Sequence, residues 1–412
     1  MAEFDPNIKQ VSGPVNVVRM EGRIHGIKKV IYLFMDFHID IPGQRQCDNI
    51  FSKHVKNYFA ENFYNLNKTT RQYDFFLETF PTELVKIPQD PNLPQLNYTQ
   101  LYIMEVRKFF KKFFVYDPEI DKVSISDVLK NVRLHYIDIR DYYIYFFSNK
   151  MSELLGILNI FLCHNNISLN DLVYIIDSIN VLIEKLKLNV VNTLSEKYDK
   201  KDKISVIKSS AQIDKHHEIF KYFINKIITS YKDEEIKKIL NRYIDKIRQG
   251  FISSIDEMTN IVNKFNDYGN LAYTHTNRLT RDENGRYDYG LPRSAVQKII
   301  IDMIKLFSDI YMKIFDDFMM LMDIYFLRRF LDKDYVTNAI VYTGGWHSRN
   351  YIDILVKEFD FRITHVSYAK IDDMEKLTEE IKKVPFNEIE GLLYPPVMHQ
   401  CSDMTHFPED FL

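Results

Sequence analysis

The sequence predicts an α/β protein: a mostly parallel sheet flanked by helices, with a large all-helical insertion. Three observations carry that expectation. Apolar β-type runs near both ends of the chain are each followed by a helical pattern. Residues 141–268 show helical periodicity throughout and no convincing strand. Two β-type runs, at 32–40 and 341–349, end in a histidine set among small or polar residues. An open α/β sheet holds its ligands at such strand ends.

Taken in order, 14–24 and 28–37 are apolar or alternating runs separated by Glu21-Gly22-Arg23 and His25-Gly26, and read as a β pair ending at Asp36-Phe37-His38. Pro42-Gly43 turns the chain into a helix over 44–62, with Ile50, Val55, Tyr58 and Phe59 near helical spacing. Residues 73–79 form a short buried strand ending at Glu78, and the Pro-rich 81–94 is an irregular connection. A helix over 99–114 precedes a strand over 132–139 that ends at Asp138 and Arg140. The lysines of 185–208 are mixed with Glu and Asp, as on a solvated helix face.

A long loop spans 269–292, and its Arg278, Arg281 and Arg286 with Arg293 suggest either a lid over an anion or a solvated loop. Residues 294–330 form a mostly buried helix. Asp302, Asp309, Asp316 and Asp323 recur on it every seventh residue as a polar seam, about two turns apart and too far to share an ion. A strand over 337–342, a tight Gly344-Gly345 turn, a helix over 348–358, a strand over 361–367 and a helix over 372–383 follow. The tail holds His399, Cys401, Asp403 and His406, dense enough for a metal clip but without the single-turn spacing or paired motif of one. The expected domains are a core of 1–140 with 292–412 and a helical insertion of 141–291.

Composition bounds the function classes. Hydrophobic residues at 46% against 27% charged residues describe a folded chain able to bury a full core. A net charge of −3 gives no electrostatic reason to expect nucleic acid as a partner. The 30 Phe and 27 Tyr against 12 Gly, with abundant Ile, Asn and Lys, fit an AT-rich source genome, viral or parasitic. Cys47, Cys163 and Cys401 are odd in number and form no CxxC, so a reduced intracellular setting, cytoplasm or virion, is expected. No signal-peptide core follows Met1, and charges interrupt every candidate membrane span.

If the strands share one sheet, Asp36, His38, Glu78, Asp138, Arg140 and His347 emerge along one edge. Carboxylates beside imidazoles suit general acid/base or metal-assisted hydrolysis: the carboxylate fixes the imidazole tautomer, and either group can ligate a divalent ion or activate water. Gly344 and Gly345 would admit backbone N–H groups to an oxyanion, and Arg140 or Arg349 could neutralise developing charge. The chain has no GxSxG, Walker, GxGxxG or HExxH motif.

The order of these motifs resembles the erythromycin-esterase, ChaN and TraB/TIKI superfamily. Met35-Asp36-Phe37-His38 stands for the first motif, Phe76-Leu77-Glu78 for the second-strand Glu, Ile137-Asp138-Ile139-Arg140 for a central acidic/basic strand end and Gly344-Gly345-Trp346-His347 for the late histidine. The resemblance spans 28–140 and 335–368. It implies an α/β core with helical insertions, and a hydrolase acting on an ester or peptide-like bond. His38 and His347 would activate water, Glu78 would serve as base or metal ligand, Asp36 and Asp138 would orient, and Arg140 would bind substrate anion. A divalent metal, if present, would sit on His38, Glu78 and His347. Met35 and the shorter Asp36 depart from the small residue and Glu usual there. They raise a second expectation, a catalytically degenerate member acting as a binding or virion component, with protein partners on the helical insertion. A haem carrier using His or Tyr in the crevice is a third.

Overall fold

The computed structural model describes residues 8–39, 41, 46–79, 101–115, 123–140, 144–164, 169–196, 212–276 and 293–411. The chain divides into two compact units, Met1–Ile139 with Tyr325–Leu412, and Arg140–Ile324. The second division falls inside a long helix, whereas the sequence places it in the preceding loop.

The first unit is built on a six-stranded sheet. Its strands are β2 (Asn16–Ile24), β3 (Ile27–Asp36), β5 (Tyr73–Leu77), β6 (Val132–Tyr136), β7 (Asn338–Gly344) and β8 (Arg362–Val366), in the order β6-β5-β7-β3-β2-β8. β3, β5, β6 and β7 pair in parallel, while β2 runs antiparallel to both β3 and β8. The sheet is therefore mostly parallel, as expected. His25 and Gly26, with φ of 48° and 80°, make the two-residue turn between β2 and β3, whose twist favours positive φ at both positions. A smaller sheet joins β1 (Gln10–Ser12), β4 (Lys53–His54) and β9 (Cys401–Asp403) in the order β4-β1-β9.

Strand alternation divides the core between two faces. Tyr32, Phe34, Phe75 and Tyr342 pack on Phe59 and Phe63 of α1 (Val55–Leu66), Phe110 of α2 (Tyr102–Phe110) and Phe411. Phe76 faces the other way, against Phe326, which also meets Tyr351 at 4.5 Å between ring centroids. Each such ring contributes about 1.5–3 kcal/mol by leaving water, so the buried apolar faces set which edge of each strand is free to carry polar groups.

The second unit contains α3 (Ile144–His164), α4 (Leu169–Lys185), a π-helical turn Leu186–Val191, α5 (Asn192–Ser195), α6 (Gln212–Thr229), α7 (Glu234–Thr276) and the greater part of α8 (Arg293–Asp332). Among the described residues of 140–324 no strand occurs, as the periodicity predicts. Phe251 of α7 meets Phe318 of α8 at 4.7 Å. Along the seam of α8, Asp302, Asp309 and Asp316 are exposed, but Asp323 is fully buried. No helix among the described residues is long and apolar enough to cross a membrane.

The structure corrects several expectations. Gly344-Gly345 is not a tight turn: β7 runs to Gly344 and α9 (Gly345–Phe359) begins at once, because a helix can start directly from an extended Gly344 (φ −55°, ψ 147°). The first helix starts at Val55 rather than 44, after β4. Cys47 and Cys401 are not free thiols but a disulfide, with Cα atoms 4.9 Å apart at a sequence separation of 354. Cysteine spacing therefore gives no argument for a reducing setting. With Cys401 spent in that bond, the tail has no thiolate for a metal clip. The turn at Pro42-Gly43, the Pro-rich 81–94, and Arg278, Arg281 and Arg286 lie outside the described residues. α8 is followed through β7 and β8 by α10 (Met374–Lys383) and α11 (Glu390–Leu393).

Candidate active site at the strand ends

Because β3, β5 and β7 are parallel and adjacent, their carboxyl ends open on one edge, and that edge carries the predicted residues. Asp36 is the last residue of β3, and Met35 and Asp36 pair with Thr343 and Gly344 of β7. Glu78 follows β5 and is held there by its N–H donating to the Tyr342 carbonyl at 3.1 Å. His347 lies in the first turn of α9.

The side chains meet. His38 Nδ1 donates to Asp36 Oδ2 at 2.7 Å, and its Nε2 faces Glu78 Oε2 at 3.2 Å. His347 Nε2 faces the other oxygen, Glu78 Oε1, at 3.2 Å. The Gly344 N–H donates to Glu78 Oε2 at 2.6 Å. Glu78 is thus the hub, shared by two imidazoles and a main-chain donor. Asp36, Glu78 and His347 are buried, whereas the His38 side chain is 37% accessible and forms the solvent-facing member.

Two carboxylates, one at each ring nitrogen, can both be satisfied only by an imidazolium. Burial would lower the His38 pKa, but the Glu78 charge and then Asp36 outweigh it and push the value up to about 10. His38 also has φ of 52°, a left-handed backbone that a non-glycine residue holds at a cost of about 1–3 kcal/mol and that gathers at functional sites. Gly344 is needed at the hub: a Cβ there would lie 3.1 Å from His38 Nε2 and 3.4 Å from Glu78 Oε2.

Sequence reasoning missed two neighbours. Gln400, from the tail, points its Nε2 at Asp36 Oδ1 at 3.4 Å, in the buried interior. Tyr342 lies under Asp36, and burial, with the Asp36 charge second, raises its pKa well above the ordinary value. Their signal was faint: Tyr342 reads as an ordinary strand aromatic, and Gln400 is hidden between His399 and Cys401 in a tail that suggests metal.

The remaining candidates sit elsewhere. Asp138 is buried at the end of β6, one strand beyond β5, its N–H reaching the Thr79 carbonyl at 3.4 Å. Arg140 belongs to the helical unit, where its guanidinium donates to Met319 Sδ at 2.7 Å. Arg349 is engaged by Glu390 at 2.8 Å and stacks on Phe386 at 4.2 Å. The metal expectation for His38, Glu78 and His347 does not fit. Among the described residues no group of three or more His, Cys, Asp or Glu is placed to hold an ion.

Fold and site together describe a mixed α/β protein with a histidine–carboxylate centre at the carboxyl edge of its parallel strands. The chain belongs to a family of unknown function, DUF5847, whose model matches residues 9–412. Three uncharacterized proteins of Acanthamoeba polyphaga mimivirus are similar to it along its length. One is 42% identical over 99% of this chain and 98% of its own. The second is 36% identical over 99% of both, and the third 33% identical over the full length of both. No solved structure matches the chain.

Proposed function

We propose that this protein is a hydrolase of the erythromycin-esterase/ChaN/TraB type, cleaving an ester or peptide-like bond by acid/base chemistry at His38 and Glu78. The observation that supports this is the continuous run of side-chain contacts from Asp36 through His38 and Glu78 to His347 at three neighbouring strand ends. Asp36 orients His38 and keeps it protonated. Water adds to the carbonyl carbon and gives its proton to Glu78, while His38 delivers its own proton to the leaving atom. The acid and base then re-equilibrate through their shared contact, and His347 and the Gly344 N–H keep the Glu78 carboxylate in register. A raised pKa suits His38 to this task, since a basic leaving oxygen needs a proton from a group that still holds one at neutral pH.

The test is hydrolysis of a panel of chromogenic esters and peptides by the full chain, beside His38→Gln and Glu78→Gln. Turnover by the parent that falls about 10²–10⁴-fold in each variant, assayed where every chain is still folded, supports the reading. A second reading, favoured by the burial of Asp36, Glu78 and His347, is a degenerate member whose charge cluster clamps the strand ends of a binding or virion component. It expects no turnover from the parent, and variants that lose stability instead.

A further inference from the structure

We infer that the Cys47–Cys401 disulfide is a redox latch beside the His38 centre, fastening residues 46–54 to the C-terminal strand that follows Gln400. Cys401 directly follows Gln400, whose amide faces Asp36 and whose carbonyl accepts the Gly13 N–H at 3.0 Å. Cys47 lies on the stretch that leaves His38 and reaches β4. The disulfide thus bridges the two chain segments that flank Asp36 and His38.

What it reinforces is weak by itself. β1, β4 and β9 have three, two and three residues, so their backbone ladder is short, and strands of this length are marginal without another restraint. The left-handed backbone of His38 persists only while its surroundings over-determine it. Both cysteines are half-buried, and a thiolate breaks a disulfide by attacking either of its sulfurs. A dithiol reductant would break the Cys47–Cys401 bond. Its two sulfurs become a disulfide, and two electrons and two protons pass to give Cys47 and Cys401 thiols. Residues 46–54 are then released from the C-terminal strand, and Gln400 can leave Asp36.

The consequence for catalysis rests on the hydrolase reading, but the latch is tested without it. The full chain is compared before and after dithiothreitol, with thiols counted by alkylation and protection followed by hydrogen exchange. One free thiol, Cys163, is expected before reduction and three after. Reduction should speed exchange about tenfold in peptides covering 46–54 and 399–404, and leave 338–359 as protected as before. Cys47→Ser should reproduce the reduced pattern without reductant, and should it fail to fold, reduction of the parent decides alone. Three thiols before reduction, unchanged exchange after complete reduction, or uniform loss of protection through 338–359 would each overturn the latch. Ester hydrolysis is assayed in both states. Its absence from both ends the hydrolase reading while the exchange pattern still judges the latch.

Discussion

His38 carries the strongest residue-scale consequence, because its two nitrogens have no neutral way to satisfy two carboxylates. Its ring should titrate far above the ordinary 6.5 when followed by NMR, and remain cationic through neutral pH. The sign of the stability effect follows from the folded pKa being raised above the unfolded one. The contribution of the charged ring is complete below about pH 6.5 and is lost as pH rises through about 10. Denaturant midpoints of the parent and His38→Gln should therefore differ most below neutrality and converge toward pH 10. A constant gap over that window would mean the ring is neutral in the folded chain. Asp36, His38 and Glu78 were legible as candidates because each ends an apolar run. Gln400 was not, since nothing local distinguishes a tail glutamine that reaches a strand 364 residues away.

At the scale of elements, β5 shows how a strand pays for carrying polar chemistry at its end. Asp74 is wholly buried within it and accepts from Arg133 Nε at 2.9 Å and from His135 Nε2 at 2.6 Å, across the β5–β6 pairing. Burial would raise its pKa, but His135 and then Arg133 hold it below the usual carboxylate value. Lys29 does comparable service for β3. Its buried ammonium donates to the carbonyls of Phe330, Lys333 and Val336, tying the end of α8 to the strand that leads to Asp36. Asp74→Ala leaves the buried His135 imidazole without its acceptor, while the partly exposed Arg133 guanidinium keeps the Tyr335 carbonyl. It should cost about 1–3 kcal/mol in chemical denaturation, and a loss below about 0.5 kcal/mol would show that water or a neighbour replaces the carboxylate. Both strands were recognised from their apolar runs, but these cross-element ties were not, because periodicity reports which face a residue occupies and never its partner.

For the whole molecule the decisive fact is that β7 lies between β5 and β3, although 261 residues separate the end of β5 from the start of β7 in sequence (338 − 77). Truncation after Ile324 removes β7, β8 and β9 together and leaves β3 and β5 with unpaired inner edges. Such a chain should lose the cooperative thermal transition of the sheet-bearing unit, measured by near-UV circular dichroism through its buried tyrosines. A retained transition would mean that β3 and β5 can pair directly. The sequence by itself determined the six strands of the larger sheet, that the middle of the chain is helical, and which acids and imidazoles end those strands, because apolar periodicity and chain punctuation are local properties. Only the tertiary structure decided the strand order, the Glu78 hub, the pairing of Cys47 with Cys401 and the contact of Arg140 with Met319. Those depend on which distant surfaces bury one another, and no window of neighbouring residues records that.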